Sequence, residues 1–340
     1  MLPQSTMESL LESLTGRRVL VIGDLILDHY VVGEVDRVSP EAPVPVVLAG
    51  SEDADSFELG GSANVARNVA SLGGVPLITG IVGMDAGADR IRKLLESHGF
   101  DPSRVVAAPD RPTTVKTRVM ASHRRQQIVR VDRESVEYAG PETEKHLIAA
   151  VDSLLPEADV VVFEDYDKGC ITPGLIDHVV SRSRVPVCCD PKFRNFPLYR
   201  GLCLVKPNML EAERFLGRSL RPGRDDDAMR AAGEIRERLA ASCVLLTLGE
   251  HGSVLSTADD AGVHFPSVAH HVFDVSGAGD TVIATAALGI AAGIDLRDVA
   301  RMACFAAAAA CAEPGVYAVL PEDVIREADE FRRRHGHPAG

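Results

Sequence analysis

The run Asp274-Val275-Ser276-Gly277-Ala278-Gly279-Asp280-Thr281 sets small residues between two acids, directly ahead of the low-polarity stretch Thr281 to Ile294. This pattern predicts a strand leading through a small-residue loop into a long apolar helix. Such a loop exposes several backbone N–H groups at a helix N-terminus, where the dipole is positive, and phosphate is its natural guest. Asp280 would sit in the first helical turn beside that anion hole. A carboxylate there suits the removal of a proton from a hydroxyl that attacks a terminal phosphoryl group. A plain glycine-rich turn with Asp280 as helix cap is the alternative.

A second glycine cluster, Gly60-Gly61-Ser62-Ala63-Asn64, also opens a helix. Asn64 offers a polyol both a donor and an acceptor, while Ser62 as N-cap would account for the cluster structurally. Gly23-Asp24 closes an apolar strand at its C-terminal end, where ligands of open α/β sheets bind, so Asp24 is placed to accept from sugar hydroxyls. Asn208 and Glu211 stand three apart at the start of a helix in Lys206-Pro207-Asn208-Met209-Leu210-Glu211. That spacing serves a water-mediated hard cation or an ordinary capping pair. Lys192, in Asp190-Pro191-Lys192, follows another strand end and is available to an anion. Lys116, Arg118, Arg124, Arg125, Arg130 and Arg133 form a basic segment on an acidic chain, which suits a small anionic ligand or a solvated mixed-charge face. The His270-His271 pair has no partners at metal-ligand spacing and reads as structural.

Those groups need a scaffold, and the elements predicted around them are β-branched runs alternating with helical patterns. Arg18–Gly23, Leu77–Val82, Asp159–Phe163, Val185–Asp190, Leu202–Lys206 and Cys243–Leu248 read as strands. Ser62–Leu72, Ala86–His98, Pro173–Arg182 and Ala228–Ala240 read as helices. Strands apolar on both faces and separated by helices indicate an α/β fold with a parallel sheet covered on both sides. Two segments, Tyr30–Phe57 and Thr113–Arg133, carry no helical period and read as pairs of half-exposed strands that meet as a small sheet beside the main one, either a lid over a binding cleft or an ordinary edge hairpin. Beyond Gly277 the chain is predicted nearly all helical, with Ala306–Ala310 permitting close packing and a last helix near Pro321–Arg334.

Composition narrows the classes further. The 340 residues are 46% hydrophobic and 25% charged, with 36 basic against 49 acidic side chains and a net charge of −13. An acidic surface disfavours nucleic acid and anionic membranes as partners. The polar N-terminus lacks a signal or transit pattern, and Thr281–Ile294 is too short to span a bilayer. Seven cysteines without a CxxC pair fit a reduced, cytoplasmic protein. No Walker loop, dinucleotide Gly-x-Gly-x-x-Gly after the first strand, or Gly-x-Ser-x-Gly elbow occurs, which disfavours those folds.

Together, Gly60-Gly61-Ser62-Ala63-Asn64 and Asp274 through Thr281 resemble the two signatures of the ribokinase (PfkB-type) sugar kinases, and the likeness runs from Val19 to about Val324. It includes Lys206-Pro207-Asn208-x-x-Glu211 and Thr247-Leu248-Gly249-x-x-Gly252. Arg37 through Val46, Gln126 through Asp132, and Asp190-Pro191-Lys192 with Tyr199-Arg200-Gly201 are similar to the heptose 7-phosphate kinases of bacterial ADP-heptose synthesis.

The resemblance implies one doubly wound, ribokinase-like domain over 1–340, with a β lid at about 30–57 and 113–133 that also makes a homodimer contact. It implies ATP-dependent phosphorylation of the anomeric hydroxyl, giving the 1,7-bisphosphate. Asp280 would be the base, and the Gly277, Ala278 and Gly279 amides would neutralise the transferred phosphoryl group. Asp24, Gly60, Gly61 and Asn64 would hold the sugar. Lys116, Arg118, Arg130 and Lys192 would meet anionic groups. Asn208 and Glu211 would organise Mg²⁺ through water, with Thr247, Gly249 and Gly252 along the nucleotide. A monovalent cation is a further cofactor of such kinases. Two stretches depart from the pattern: Phe193-Arg194-Asn195-Phe196 replaces a Gly and an Asp, and Ala312 through Val319 lacks the usual Gly-Thr/Ser. No C-terminal nucleotidyltransferase domain is expected within these residues. A kinase of another sugar, or a non-catalytic nucleotide or sugar sensor, are the alternatives.

Overall fold

A computed structural model describes residues 4–51, 55–123, 126–221, 223, 225–260, 262–269 and 271–335, so Arg124, Arg125 and His270 lie outside the described residues. The strands are β1 (Arg18–Gly23), β2 (Leu25–Val38), β3 (Pro45–Ala49), β4 (Ser56–Gly61), β5 (Val75–Val82), β6 (Val105–Ala107), β7 (Thr114–Ala121), β8 (Gln127–Arg133), β9 (Val160–Glu164), β10 (Val187–Asp190), β11 (Leu204–Val205), β12 (Cys243–Thr247), β13 (Ser253–Thr257) and β14 (Val263–Phe265). The helices are α1 (Gln4–Glu12), α2 (Ser62–Ser71), α3 (Ala86–Ser97), α4 (Pro141–Leu154), α5 (Pro173–Arg182), α6 (Met209–Leu216), α7 (Asp225–Leu239), α8 (Ala278–Ala291), α9 (Leu296–Ala312) and α10 (Pro321–His335).

Nine strands form the main sheet in the order β14-β13-β12-β11-β10-β9-β1-β5-β6. Its centre is parallel, with β1 between β5 and β9, and the strands apolar on both faces lie there because helices cover both sides. The chain winds outward from β1 through β5 and β6, then returns to place β9 on the other side of β1. That reversal opens a crevice at the carboxyl ends of β1 and β9, the position where doubly wound sheets bind ligands.

One face of the sheet carries α8, α9, α2, α1 and α10 around a core of Val19, Val21, Val65, Ile283, Leu288 and Met302. Helix α8 is buried on nearly every side, from Asp280 to Gly289, which explains its uniformly apolar sequence. Small residues let it approach α9: a Cβ on Gly289 would lie 2.7 Å from a Val299 methyl carbon. Ala303, Ala306, Ala309 and Ala310 line the buried face of α9, as the alanine run predicts. The opposite face packs α4, α5 and α7 against Phe163, Val179, Tyr199 and Ile235.

The lid is a five-stranded sheet in which β3-β2-β7-β8 are neighbours and β4 pairs with β2. Its first segment supplies three strands rather than two and begins at Leu25, because the apolar start of β2 packs with Leu59 and α3 in a core of its own. One other expectation is corrected. No strand leads into Asp274: β14 ends at Phe265, and the described residues from there to Gly277 are irregular. The sheet also gains the antiparallel edge β13-β14, whose short strands have no helix between them. Among the described residues, no helix is long and apolar enough to cross a membrane. All seven cysteines are free thiols, and burial holds Cys170, Cys188 and Cys189 well above the ordinary thiol range.

Candidate functional site

Gly277 caps α8 in a left-handed conformation (φ +79), a backbone position that glycine adopts without a steric penalty. A Cβ at this position would come within 2.9 Å of Asn64 Nδ2, so a glycine lets the two signature loops touch. Asp280 then enters the first turn almost fully buried, at 5% exposure. Asn64 Nδ2 donates to its Oδ2 at 2.7 Å and the Tyr166 hydroxyl donates to its Oδ1 at 2.8 Å. Burial pushes the Asp280 carboxyl up to about 6, against the two hydrogen bonds that favour its anion. A carboxylate held near 6 ionises below neutrality and retains enough basicity to take a proton.

Gly60 and Gly61 end β4, and Gly61 (φ +60), not Ser62, is the N-cap of α2. The Ser62 hydroxyl is buried without a hydrogen-bond partner. Gly60 lies so close to Asp28 that a Cβ would meet its Oδ2 at 2.5 Å.

Beside Asp280, carboxylate oxygens of Glu164 and Asp190 converge from the ends of β9 and β10, and the three groups lie within 4.8 Å of one another. Lys206 Nζ pairs with Asp190 Oδ2 at 2.7 Å; burial opposes its charge, yet Asp190 and Glu211 hold the ammonium above its usual range. Glu164 is 1% exposed, and burial with the Asp190 and Asp280 charges drives its carboxyl well above the carboxylate range. Its Oε2 is buried with no hydrogen-bond partner. An all-oxygen cluster with an orphaned oxygen fits a hard divalent cation such as Mg²⁺. Asn208 and Glu211, by contrast, form a capping box at α6: Glu211 N donates to Asn208 Oδ1 at 2.9 Å and Asn208 N to Glu211 Oε2 at 2.8 Å. The other Glu211 oxygen pairs with Lys192.

Asp24 departs from its expected role. Its buried carboxylate accepts from three backbone amides, Tyr166 at 2.8 Å, Lys168 at 3.0 Å and Cys170 at 3.1 Å. It therefore anchors the loop after β9, and that loop carries Tyr166 to Asp280. Asp167 in the same loop has a left-handed backbone (φ +57), which a short polar side chain adopts more readily than most.

Across the crevice, one face of the lid aligns Asp28 with Lys116, Tyr30 with Arg118, and Arg118 with Arg130. Arg118 forms an ion pair with the buried Asp28. Arg130 makes a bidentate contact to Asp132, both bonds at 2.9 Å. Lys116 Nζ lies over the Tyr166 ring at 5.1 Å, and Lys192 Nζ lies 5.5 Å from the same ring.

The motifs that the resemblance assigns to the nucleotide meet at the ends of β11 and β12. Thr247 N donates to Pro207 O at 2.9 Å, and Asn208 bridges to Thr247. Gly249 (φ +60) has open space beside it, whereas a Cβ on Gly252 would fall 2.0 Å from Phe265 O. Gly252 thus serves the close approach of the chain after β14. The Ala312 through Val319 stretch meets the loop before Asp280, with Gly315 N donating to Asp274 Oδ2 at 3.2 Å.

Sequence reasoning missed Tyr166, Glu164, Lys206 as a site lysine, and Asp28. Glu164 and Tyr166 stand just past an apolar strand end, the same signal that singled out Asp24. Asp28 lies inside a strand, and only lid pairing shows its neighbours.

Similar architecture occurs in solved kinases. Phosphofructokinase-2 from Escherichia coli in complex with potassium superposes with a TM-score of 0.78 at 21% identity, covering 94% of this chain and 100% of that one. Arabidopsis thaliana ribokinase complexed with ribose and ATP gives 0.69 at 21%, covering 92% and 98%. The fold is thus that of the ribokinase-like kinases. Residues 17–323 match the pfkB family carbohydrate kinase model, and the chain belongs to that family, whose members are sugar kinases using ATP. The curated relatives include the bifunctional protein HldE of Bradyrhizobium diazoefficiens, 39% identical over 324 residues, and that of Pelobacter propionicus, 38% identical over 325. These alignments cover 94% and 95% of this chain but 64% and 65% of the relatives, so the chain spans about two thirds of their length.

Proposed function

We propose that this carbohydrate kinase transfers the γ-phosphoryl group of ATP to the anomeric hydroxyl of D-glycero-β-D-manno-heptose 7-phosphate. The observation that carries the chemistry is the contact of the two signature loops at Asp280, which Asn64 and Tyr166 hold by one carboxylate oxygen each. The heptose reading is supported by the motifs of Arg37 through Val46 and Gln126 through Asp132 and by the likeness to the HldE proteins.

Asp280 takes the proton of the attacking hydroxyl as its oxygen bonds to the γ-phosphorus, and the bond from that phosphorus to the bridging oxygen of ADP breaks. The amides of Gly277, Ala278 and Gly279 face the charge on the transferred group. Asn64, with Gly60 and Gly61 behind it, lines the sugar side; Thr247 and Gly249 line the nucleotide side. Glu164 and Asp190 are the residues that would hold Mg²⁺ directly, with Asn208 and Glu211 beside them. The chemistry that Mg²⁺ supplies when bound is neutralisation of phosphate oxygens. Lys192 and Lys206 offset the Glu211 and Asp190 carboxylates on that side.

A dimer through the lid is part of this reading, supported by Val129 and Val131, which leave 48% and 50% of their surface exposed on its outer face. The cytoplasm, where ATP is supplied, is the proposed location. The test is ³¹P NMR of the product formed from Mg-ATP and heptose 7-phosphate. A second phosphate signal coupled to the anomeric proton supports the assignment, and phosphorylation at any other position removes it.

A further inference from the structure

Basic side chains crowd this crevice, and nearly all of them are already neutralised. Arg118 pairs with Asp28, Arg130 with Asp132, Lys168 with Glu134, Lys192 with Glu211 and Lys206 with Asp190. Lys116 is without such a partner: among the described residues its Nζ meets neither a carboxylate nor a pair of backbone carbonyls of the kind Arg111 holds, and its close partner is the face of Tyr166 at 5.1 Å. It is half-buried on the lid face that looks into the crevice, level with Asp28. Burial depresses its ammonium, and the like charges of Lys168, Arg118 and Arg130 add to that depression against Asp28. A cation placed among cations, partly out of water, gains most from an anion that the protein itself does not provide.

Tyr166 fixes where that anion sits. The same side chain donates from its hydroxyl to Asp280 and presents its ring to Lys116 Nζ at 5.1 Å, so the base and the lysine share one neighbour. A sugar that reaches both carries its reacting hydroxyl at one end and its charged group at the other.

We propose that Lys116 receives the phosphate ester at the far end of the sugar, and so makes the enzyme select phosphorylated over free sugars. The assignment rests on the phosphosugar reading above. It sets Arg118 and Arg130 aside: Arg118 is committed to a buried aspartate, and Arg130 is half-exposed and held bidentately by its strand neighbour.

The experiment compares kcat/KM for heptose 7-phosphate and for the same heptose without phosphate in the wild type, Lys116→Met and Lys116→Arg. In Lys116→Met the phosphorylated sugar is expected to lose about 100-fold through KM, while the free sugar and the KM for ATP stay unchanged. Lys116→Arg is expected to recover most of the preference. If the wild type shows no preference for the phosphorylated sugar, the phosphosugar reading and the lysine assignment fall together. If it does, and Lys116→Met keeps the same preference, the lysine assignment alone falls. Labelling of wild-type lysines with acetic anhydride, read by mass spectrometry, makes the test independent of variant folding. The phosphorylated sugar should protect Lys116 and the free sugar should not; equal labelling overturns the proposal.

Discussion

Replacing Asp280 by Asn separates the chemical role of this residue from the stability it gives up. Its carboxyl is raised from 3.8 to about 6, chiefly by burial. Each pKa unit corresponds to about 1.4 kcal/mol, so the ionised form disfavours the folded state by about 3 kcal/mol once both folded and unfolded chains are deprotonated. The sign follows from the folded value lying above the unfolded one. Well below pH 3.8 the acid is protonated in both states and imposes no penalty; the stability present there is lost as pH rises from that value through about 6. Asp280→Asn carries no such titration. Its stability advantage over the wild type should therefore grow between pH 5 and pH 8, by about 1 to 2 kcal/mol, whatever the altered hydrogen bonds to Asn64 and Tyr166 remove equally at both. Urea unfolding followed by circular dichroism at the two pH values measures the difference. Activity should fall by about 10²- to 10⁴-fold in the same variant, as for loss of a general base. A stability difference that does not change with pH would refute the burial argument, and retained activity would refute the base.

Removal of the Tyr166 hydroxyl in Tyr166→Phe deletes a bond that favours the Asp280 anion, so the acid limb of the kcat profile should move above pH 6, with kcat reduced by about tenfold. A pH-rate profile with an unmoved limb speaks against that coupling. Asp24→Asn withdraws acceptor capacity from three buried amides and should cost about 2 kcal/mol, with kcat falling more than the sugar KM rises, because the effect reaches Asp280 through Tyr166. Steady-state kinetics that show only a KM effect would restore Asp24 to direct sugar contact. Gly252→Ala forces a Cβ against Phe265 O and should destabilise the protein by about 3 kcal/mol or more, read as a lowered Tm; an unchanged Tm contradicts the close approach.

Much of the scaffold was legible because its signals are local. The strand Arg18–Gly23 and the helix Pro173–Arg182 fall where apolar runs and caps place them. Asp280 and Asn64 were legible as separate motifs, yet the contact between them depends on Gly277 and on packing between α2 and α8. What escaped was set by tertiary pairing. The extended chain before Asp274 is rich in β-branched and aromatic residues but finds no neighbouring strand, so Val272, Phe273 and Val275 stay exposed. Asp24 sits where the strand-end rule puts a ligand contact, but three amides of the next crossover reach it first. The basic lid showed its charge in the sequence, while the partner that silences Arg118 appears only once β2 and β7 align; that of Arg130 lies two residues along its own strand.

The most direct measurement is ADP release from Mg-ATP with D-glycero-β-D-manno-heptose 7-phosphate, run beside ribose, fructose, fructose 6-phosphate and no sugar. Strong turnover confined to the heptose phosphate is the expected result. Turnover with another of these sugars and none with the heptose phosphate would contradict the proposed substrate and leave the error in the lid and in Phe193 through Phe196.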